Sequence, residues 1–357
     1  MRSTLDEFAK ELDELEALVA SITPVNAALA EHQDSLVRQY VLVRRRFDYA
    51  AFAVALYASF EKYVEGLVAA YAQFEARRLH YVDLPTKLVN KHLSRTAEML
   101  SRGRIGEGRY VGLTELEVVK NLFECLNGNK PYTLNKAAVI AHDVNLRVDE
   151  IDKLFAAIGI EKVCDHVRRA DTLLEWYCKA KELDVVPQNG VPDKLIEERI
   201  KDLVERRNQI THGGGNPTDL LGVDEMRDAV RFIRAFANSI FAIVVGSYLK
   251  AHHAASASRI ELMQRQGDGP YKNGTVVVVE KPLRKIFVGQ PVYVPVDSTG
   301  ARWGRIQSLR VDNSDLRVVS PETEAPQGIG VGLDFKCPKG ATLVALDEED
   351  DVVWRPQ

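Results

Sequence analysis

Residues 192–215 read PDKLIEERIKDLVERRNQITHGGG. Ile196, Ile200, Leu203 and Ile210 fall on one stripe stepped by threes and fours, and Arg207 occupies the step between the last two. The spacing predicts an amphipathic helix introduced by Pro192, with Asp193 in its first turn and Gly213–Gly215 as its stop. Arg207 therefore sits on the face that the rest of the helix commits to burial. Asn208 and His212 are four apart, one turn above the other and in line with Val204. A buried guanidinium is costly without a partner, so its place on this stripe demands a reward. Basic residues in a last turn also complement the helix dipole, which suffices for Arg206 but not for Arg207.

Outward from this helix, the chain up to about residue 253 reads as helix after helix. Leu5, Phe8, Leu12, Leu15, Val19 and Ile22 form a first stripe, which suits a core-packing helix or a short coiled coil with a partner chain. Pro24 is expected to open a second helix near 25–46. A third, about 48–79, carries Phe52, Leu56, Phe60, Tyr63, Leu67, Ala70 and Phe74 and reads as the aromatic spine of a bundle. Helical segments follow at 85–101, 114–126, 134–142, 148–158 and 161–181, with a flexible loop GRIGEGRYVG at 103–112. Val223–His253 is the last long helix.

Beyond Ala254 the pattern changes. Residues 254–270 read as a small-residue and polar linker, and 271–357 as a small β domain with short β-branched runs at 275–280, 291–296, 302–311, 316–319, 329–335 and 342–346. The fold class is thus multi-domain α then β: an all-α bundle over 1–253, its first 23 residues open to a role as an accessory or dimerisation helix, followed by a small all-β barrel.

Bulk properties bound the function. The chain has 357 residues, 46% hydrophobic and 27% charged, with a net charge of −4, so no global basic field announces nucleic-acid binding, although a local patch suffices. Four cysteines without a CxxC pair argue against a disulfide framework or zinc site and fit a reducing compartment. The start lacks the basic head and apolar run of a signal peptide. Ala50–Phe74 is interrupted by Glu61, Lys62 and Glu65, and Phe236–Leu249 is too short to span a bilayer. A cytoplasmic protein without a membrane partner is expected. No P-loop, dinucleotide-binding glycine pattern or nucleophile elbow occurs. The other histidines lack metal-ligand spacing, His252-His253 reads as a dipole complement, and DEEDD at 347–351 reads as a solvated acidic turn.

At Arg207-Asn208-Gln209-Ile210-Thr211-His212 the chain resembles the HEPN domains, helical bundles bearing Arg-x(4–6)-His near the end of a late helix. Arg44–Tyr71 resembles the long early helix of the MAE-type branch of that superfamily. The resemblance covers roughly residues 30–253. It implies endoribonuclease activity, a homodimeric active site, and roles in toxin–antitoxin or anti-phage systems, with a cognate antitoxin or a phage-derived trigger as possible partner.

The residue types themselves suit RNA cleavage with neither metal nor cofactor. The ribose 2′-hydroxyl must lose a proton as it attacks phosphorus, and the departing 5′-oxygen must gain one; histidine is the side chain poised for either. Arg207 offers a fixed fork of donors to the phosphate oxygens as charge builds. Asn208 can hold the phosphate or fix the imidazole tautomer. One histidine cannot act as base and acid at once, so a two-fold dimer that presents His212 from both subunits would complete the chemistry. The expected product is a 2′,3′-cyclic phosphate with a free 5′-hydroxyl. Glu61, beside Phe60 on the spine helix, is a further candidate that could pair with Arg207 or be a solvated boundary residue.

In the β domain, Val288–Val294, Gly304-Arg-Ile306, Gly328–Leu333 and Pro338–Leu343 resemble the domain-II barrel of translation factors. Arg302, Arg305 and Trp303, with Lys281, Arg284, Lys285 and Arg310, could form a basic face that selects an RNA such as tRNA or rRNA, or they could be scattered solvated charges. Arg206 is a further substrate-binding candidate. The competing reading of the whole is a non-catalytic HEPN scaffold binding RNA, nucleotide or a partner protein, and a third is an antitoxin-like partner.

Overall fold

The computed structural model describes every residue except 104, 213–218, 254–257, 297–299, 313, 326, 349, 351 and 355–357, with the side chains of 42 and 109 also left aside. Two compact units emerge, Ser3–Phe241 and Ala242–Gln357.

The first unit is all helix: α1 (Arg2–Ala30), α2 (Ser35–Arg78), α3 (Thr86–Ser101), α4 (Glu115–Leu126), α5 (Lys136–Val139), α6 (Val148–Ala157), α7 (Val163–Val167), α8 (Asp171–Ala180), α9 (Asp193–His212) and the start of α10 (Val223–His253). The stripe of α1 is buried within the chain itself from Leu5 to Ile22, the core-packing outcome rather than a free coiled-coil seam. Helix α1 runs through Pro24, and the expected second and third helices are one 44-residue helix, α2. The break falls instead at residues 31–34, where the Asp34 carboxylate accepts from Leu36 N at 2.8 Å and caps α2. Proline forfeits one hydrogen bond but its φ is helical, so the helix runs on to Ala30 although the buried stripe ends at Ile22.

Spine residues Phe52, Leu56, Phe60, Tyr63 and Leu67 are buried. Phe8 stacks on Tyr63 at 4.5 Å, Phe60 meets Phe236 at 6.0 Å, and Tyr63 Oη donates to Ala237 O at 2.8 Å. Helices α1, α2 and α10 thereby share one aromatic core. The single helix expected over 161–181 is two, α7 and α8. Arg168 O accepts from Val191 N at 2.9 Å while Arg168 Nε donates to Val191 O at 2.7 Å, so this loop claims a carbonyl that a continuous helix would use internally. Helix α10 is long and apolar enough to cross a membrane, yet 78% of its most apolar window is buried, as in a core helix.

The second unit begins inside α10. Its strands are β1 (Arg259–Leu262), β2 (Val276–Val279), β3 (Ile286–Phe287), β4 (Pro291–Val296), β5 (Gly300–Val311), β6 (Ser314–Leu316), β7 (Val318–Val319), β8 (Ile329–Leu333) and β9 (Leu343–Leu346). The main antiparallel sheet has the order β1-β9-β4-β5-β8-β2 with β6 on β5, and β3 pairs with β7. It curls into a half-barrel. Past β1 the chain reaches β2, through Arg265 N to Val278 O at 2.9 Å and Glu280 N to Met263 O at 2.8 Å, and ties the outer strands together. Strand β1 lies inside the segment expected to be a linker; Ile260 and Leu262 alternate inward between polar neighbours, too short a run to stand out from its composition. The unit extends back along α10 because a Cβ on Gly246 would lie 2.3 Å from Gly300, whose φ of +87° also favours glycine. The helix and the start of β5 touch backbone to backbone there.

Candidate active site

Helix α9 buries Ile196, Ile200, Leu203 and Val204, and with them it brings the end of the helix against α2. The Gly213–Gly215 stop lies outside the described residues. His212, the last described residue of the helix, is exposed, whereas Arg206, Arg207 and Asn208 are half-buried. Among the described residues no hydrogen bond or ion pair engages the His212 ring.

The two consecutive arginines part company at α2. Arg206 donates from Nη1 to Tyr49 Oη at 2.9 Å and to Asp219 O at 3.0 Å, and from Nε to Asp202 at 2.8 Å. Its side chain is 14% exposed, so this candidate for substrate binding is occupied as an internal brace. Burial alone would favour its neutral form, but the bonds to Asp202 and Tyr49 outweigh it and push its pKa up.

Arg207 lies over the Tyr57 ring, its guanidinium carbon 5.4 Å from the ring centroid. Its Nη1 donates to Asn208 Oδ1 at 3.0 Å, and the same oxygen accepts from Asn145 Nδ2 at 3.0 Å. The guanidinium has five N–H groups and this bond uses one, so donors are left for a ligand. The apolar stripe thus continues onto an aromatic face, which offsets part of the cost of a charged group at that position.

Behind Arg207 sits a polar network. Tyr57 Oη donates to Glu61 Oε1 at 2.8 Å and accepts from Leu146 N at 3.1 Å. Burial pushes the Tyr57 hydroxyl well up, so it stays protonated. Among the described residues Glu61 makes no direct ion pair with Arg207 and reaches it through Tyr57, in place of either the direct pair or the solvated boundary position that the sequence left open. Glu61 Oε1 also lies 3.8 Å from His142 Nε2, which bonds Glu65 at 2.9 Å, while His142 Nδ1 faces Val144 O at 2.7 Å. Both ring nitrogens point at acceptors, the pattern of an imidazolium, and the Glu65 bond leads in raising the pKa of His142. His142 also lines a cavity of about 590 Å³ with Arg95, Arg102 and Tyr110.

The sequence singles out neither Tyr57 nor Asn145, and it sets His142 aside with the other histidines for want of metal-ligand spacing. Tyr57 looks like one more spine aromatic, and Asn145 and His142 lie in a loop whose approach to α9 has no local signature.

In the β unit, β5 carries Arg302, Trp303 and Arg305. Successive strand residues face opposite sides, so Trp303 and Arg305 share one face and Arg302 takes the other. Arg302 Nη1 donates to Lys336 O at 3.0 Å, Arg305 Nη1 to Gly289 O at 2.9 Å, Arg284 pairs with Asp347 at 2.8 Å and Arg310 with Asp315 at 2.6 Å. These cations serve local contacts.

A family model described as RiboL-PSP-HEPN covers residues 6–245, and no curated protein matches the chain. The matched description names RiboL-PSP-HEPN rather than the MAE-type branch that Arg44–Tyr71 suggested. The match takes in α1 through most of α10, and with them the spine helix, the Asn145 loop and the Arg207–His212 segment. By that span and that helical arrangement, this chain belongs to the RiboL-PSP-HEPN family.

Proposed function

We propose that the chain is a metal-independent endoribonuclease that cleaves RNA by attack of the 2′-hydroxyl on the adjacent phosphorus. The observation that carries this reading is an exposed His212 five residues beyond an Arg207 that is held between the Tyr57 ring and Asn208, with His212 one helical turn past Asn208 on α9. Arg207 keeps donors for the non-bridging phosphate oxygens and gains rigidity from its stack, which favours stabilising charge that develops in the transition state. His212 takes the 2′-hydroxyl proton, and His212 of a second copy of the chain protonates the 5′-oxygen that leaves. The P–O5′ bond breaks as the O2′–P bond forms, giving a 2′,3′-cyclic phosphate and a free 5′-hydroxyl. Glu61 acts through Tyr57 as a positioning group. The substrate class is a structured cellular RNA such as tRNA or rRNA, in a cytoplasmic toxin or anti-phage defence role restrained by an antitoxin or released by a phage-derived trigger.

Purified chain incubated with total tRNA and rRNA in EDTA tests the reading, beside His212→Ala and Arg207→Ala. Cleavage by the wild type alone, with cyclic-phosphate ends, is the expected result. Equal cleavage by all three, or by none, removes the enzymatic claim and leaves a HEPN scaffold.

A further inference from the structure

The C-terminal unit holds a cluster that the nuclease reading does not use. His252 and His253 close α10, and Asp350 lies 97 residues beyond His253 with its Oδ2 2.9 Å from His253 Nε2. Each of the three offers one ligand atom, and these atoms lie within 4.8 Å of one another. From the geometry we infer that His252, His253 and Asp350 form a site for a divalent transition metal of the zinc class.

Four observations carry the inference. His253 is nine-tenths buried, and its Nε2 faces the equally buried Asp350 Oδ2, so two ligand atoms are held side by side away from competing water. Asp350 is not the solvated acid that its DEEDD context suggests, since its side chain is only 9% exposed. It is oriented by Tyr248 Oη, which donates to Oδ2 at 2.6 Å, and by Val352 N, which donates to Oδ1 at 3.1 Å, the outer support that ligating carboxylates ordinarily have. His252 is exposed and stands against His253 with ring centroids 4.7 Å apart at 81°, so the site opens to solvent on one side.

Two imidazoles and one carboxylate suit zinc, cobalt or nickel better than calcium or magnesium, which prefer all-oxygen shells. Tetrahedral bonds of about 2.0–2.2 Å set ligand atoms roughly 3.4 Å apart, so the His253–Asp350 pair opens slightly and His252 closes by up to about an ångström, within the reach of side-chain rotation at a helix end. Three protein ligands leave a fourth position for water. The ion would clamp the end of α10 to the chain near Asp350, in addition to whatever the first unit does with RNA.

The test uses the tag-free full chain, stripped with chelator and titrated with zinc by calorimetry and with cobalt by visible absorption. One equivalent per chain is expected, with cobalt bands of a low-coordinate nitrogen–oxygen site. His252→Ala removes an exposed ligand, and Asp350→Asn keeps the volume and polarity of the buried one, so both should remain folded by circular dichroism. Each should weaken zinc binding at least tenfold, whereas His212→Ala should leave it unchanged. Absence of zinc binding below about 100 µM, or unchanged affinity in either of the two ligand variants, overturns the site.

Discussion

Arg207 and Tyr57 form the contact on which the candidate active site is built: the guanidinium carbon rests 5.4 Å from the ring centroid, while the hydroxyl of the same ring holds Glu61 at 2.8 Å and Leu146 N at 3.1 Å. One tyrosine thus presents a face to the cation and an edge to a buried network. The two roles separate by substitution. Tyr57→Phe keeps the face and leaves Leu146 N and Glu61 without their partner, so stability should fall by about 1–3 kcal/mol in urea denaturation. RNA cleavage should persist at a reduced rate. Arg207→Lys keeps the charge but loses the planar fork, and cleavage should drop tenfold or more, about 1.4 kcal/mol of barrier per decade. A lysine variant that cleaves at the wild-type rate would show that the fork is dispensable.

Asn145 gives a second prediction. Its Nδ2 donates to the Asn208 Oδ1 that also receives Arg207 Nη1, each at 3.0 Å, so one oxygen is the meeting point of two donors. Asn145→Ala removes one donor. Asn145→Asp sets an anionic acceptor against the Asn208 oxygen, which pushes Asn208 to flip its amide and deprive Arg207 of its acceptor. Single-turnover cleavage of tRNA should therefore be slower in Asn145→Asp than in Asn145→Ala, with the aspartate variant no less folded. The reverse order would mean that Asn145 acts other than by fixing Asn208.

The sequence made the helical class and the candidate motif legible because both are local. The α9 stripe repeats every three or four residues, and Arg207 interrupts it visibly. What stayed hidden was long-range. Tyr57 and Asn145 are 88 residues apart, and nothing in either neighbourhood announces that their side chains meet. The Glu61–Arg207 pairing failed for a similar reason: helix position places two residues near one another but does not say that a third ring lies between them. Arg206 and Arg207 are adjacent and chemically identical, yet one is spent on Tyr49 and Asp219 while the other is held beside the motif; only packing against α2 separates them. The Pro24 boundary erred because proline's fixed φ is itself helical, and the break falls only where Asp34 caps the next helix. Asp350 was misread from its acidic neighbours, since composition reports nothing about the histidine waiting on another element.

Acid sensitivity follows from His92. The ring is fully buried, accepts from Asn135 N at Nε2 and so donates from Nδ1 to Tyr81 Oη, both at 2.9 Å. Burial lowers its pKa to about 4 from an ordinary 6.5. The folded protein therefore resists protonation that the unfolded chain accepts, and stability is full above pH 6.5 and is lost as pH falls toward 4. The ceiling is about 3 kcal/mol from the size of the shift. His142 runs the other way: its raised pKa contributes stability below the ordinary value that fades as pH rises through the folded one. Denaturation midpoints between pH 7 and 4.5, with the His92 ring followed by NMR, should show a falling midpoint and a ring that stays neutral above pH 5. A ring that titrates near 6.5 would rule out the buried neutral state.

The last prediction concerns how two His212 side chains reach one RNA. Leu36, Tyr40, Val43 and Phe47 are exposed, by 71%, 53%, 43% and 60%, and step by fours and threes along the first turns of α2. Four large apolar side chains on one helical face are too many to leave to water without a reason. The same helix continues to Tyr49 and Tyr57, which hold Arg206 and Arg207, so a partner seated on the stripe would adjoin the motif. A second copy of the chain is the occupant that the two-proton chemistry of His212 calls for. Tyr40→Glu with Val43→Glu places like charges on both sides of a two-fold contact and should turn a dimer into a monomer by sedimentation, with little change in thermal stability. Cleavage should fall with the dimer. Mixing wild-type with His212→Ala chains then decides the arrangement: if each cleavage draws His212 from both subunits, mixed dimers are as inactive as the variant alone, and activity falls with the square of the wild-type share rather than in proportion to it. Wild-type chains that sediment as monomers while cleaving at full rate would sink the paired-site mechanism and require the second proton donor to come from the same subunit.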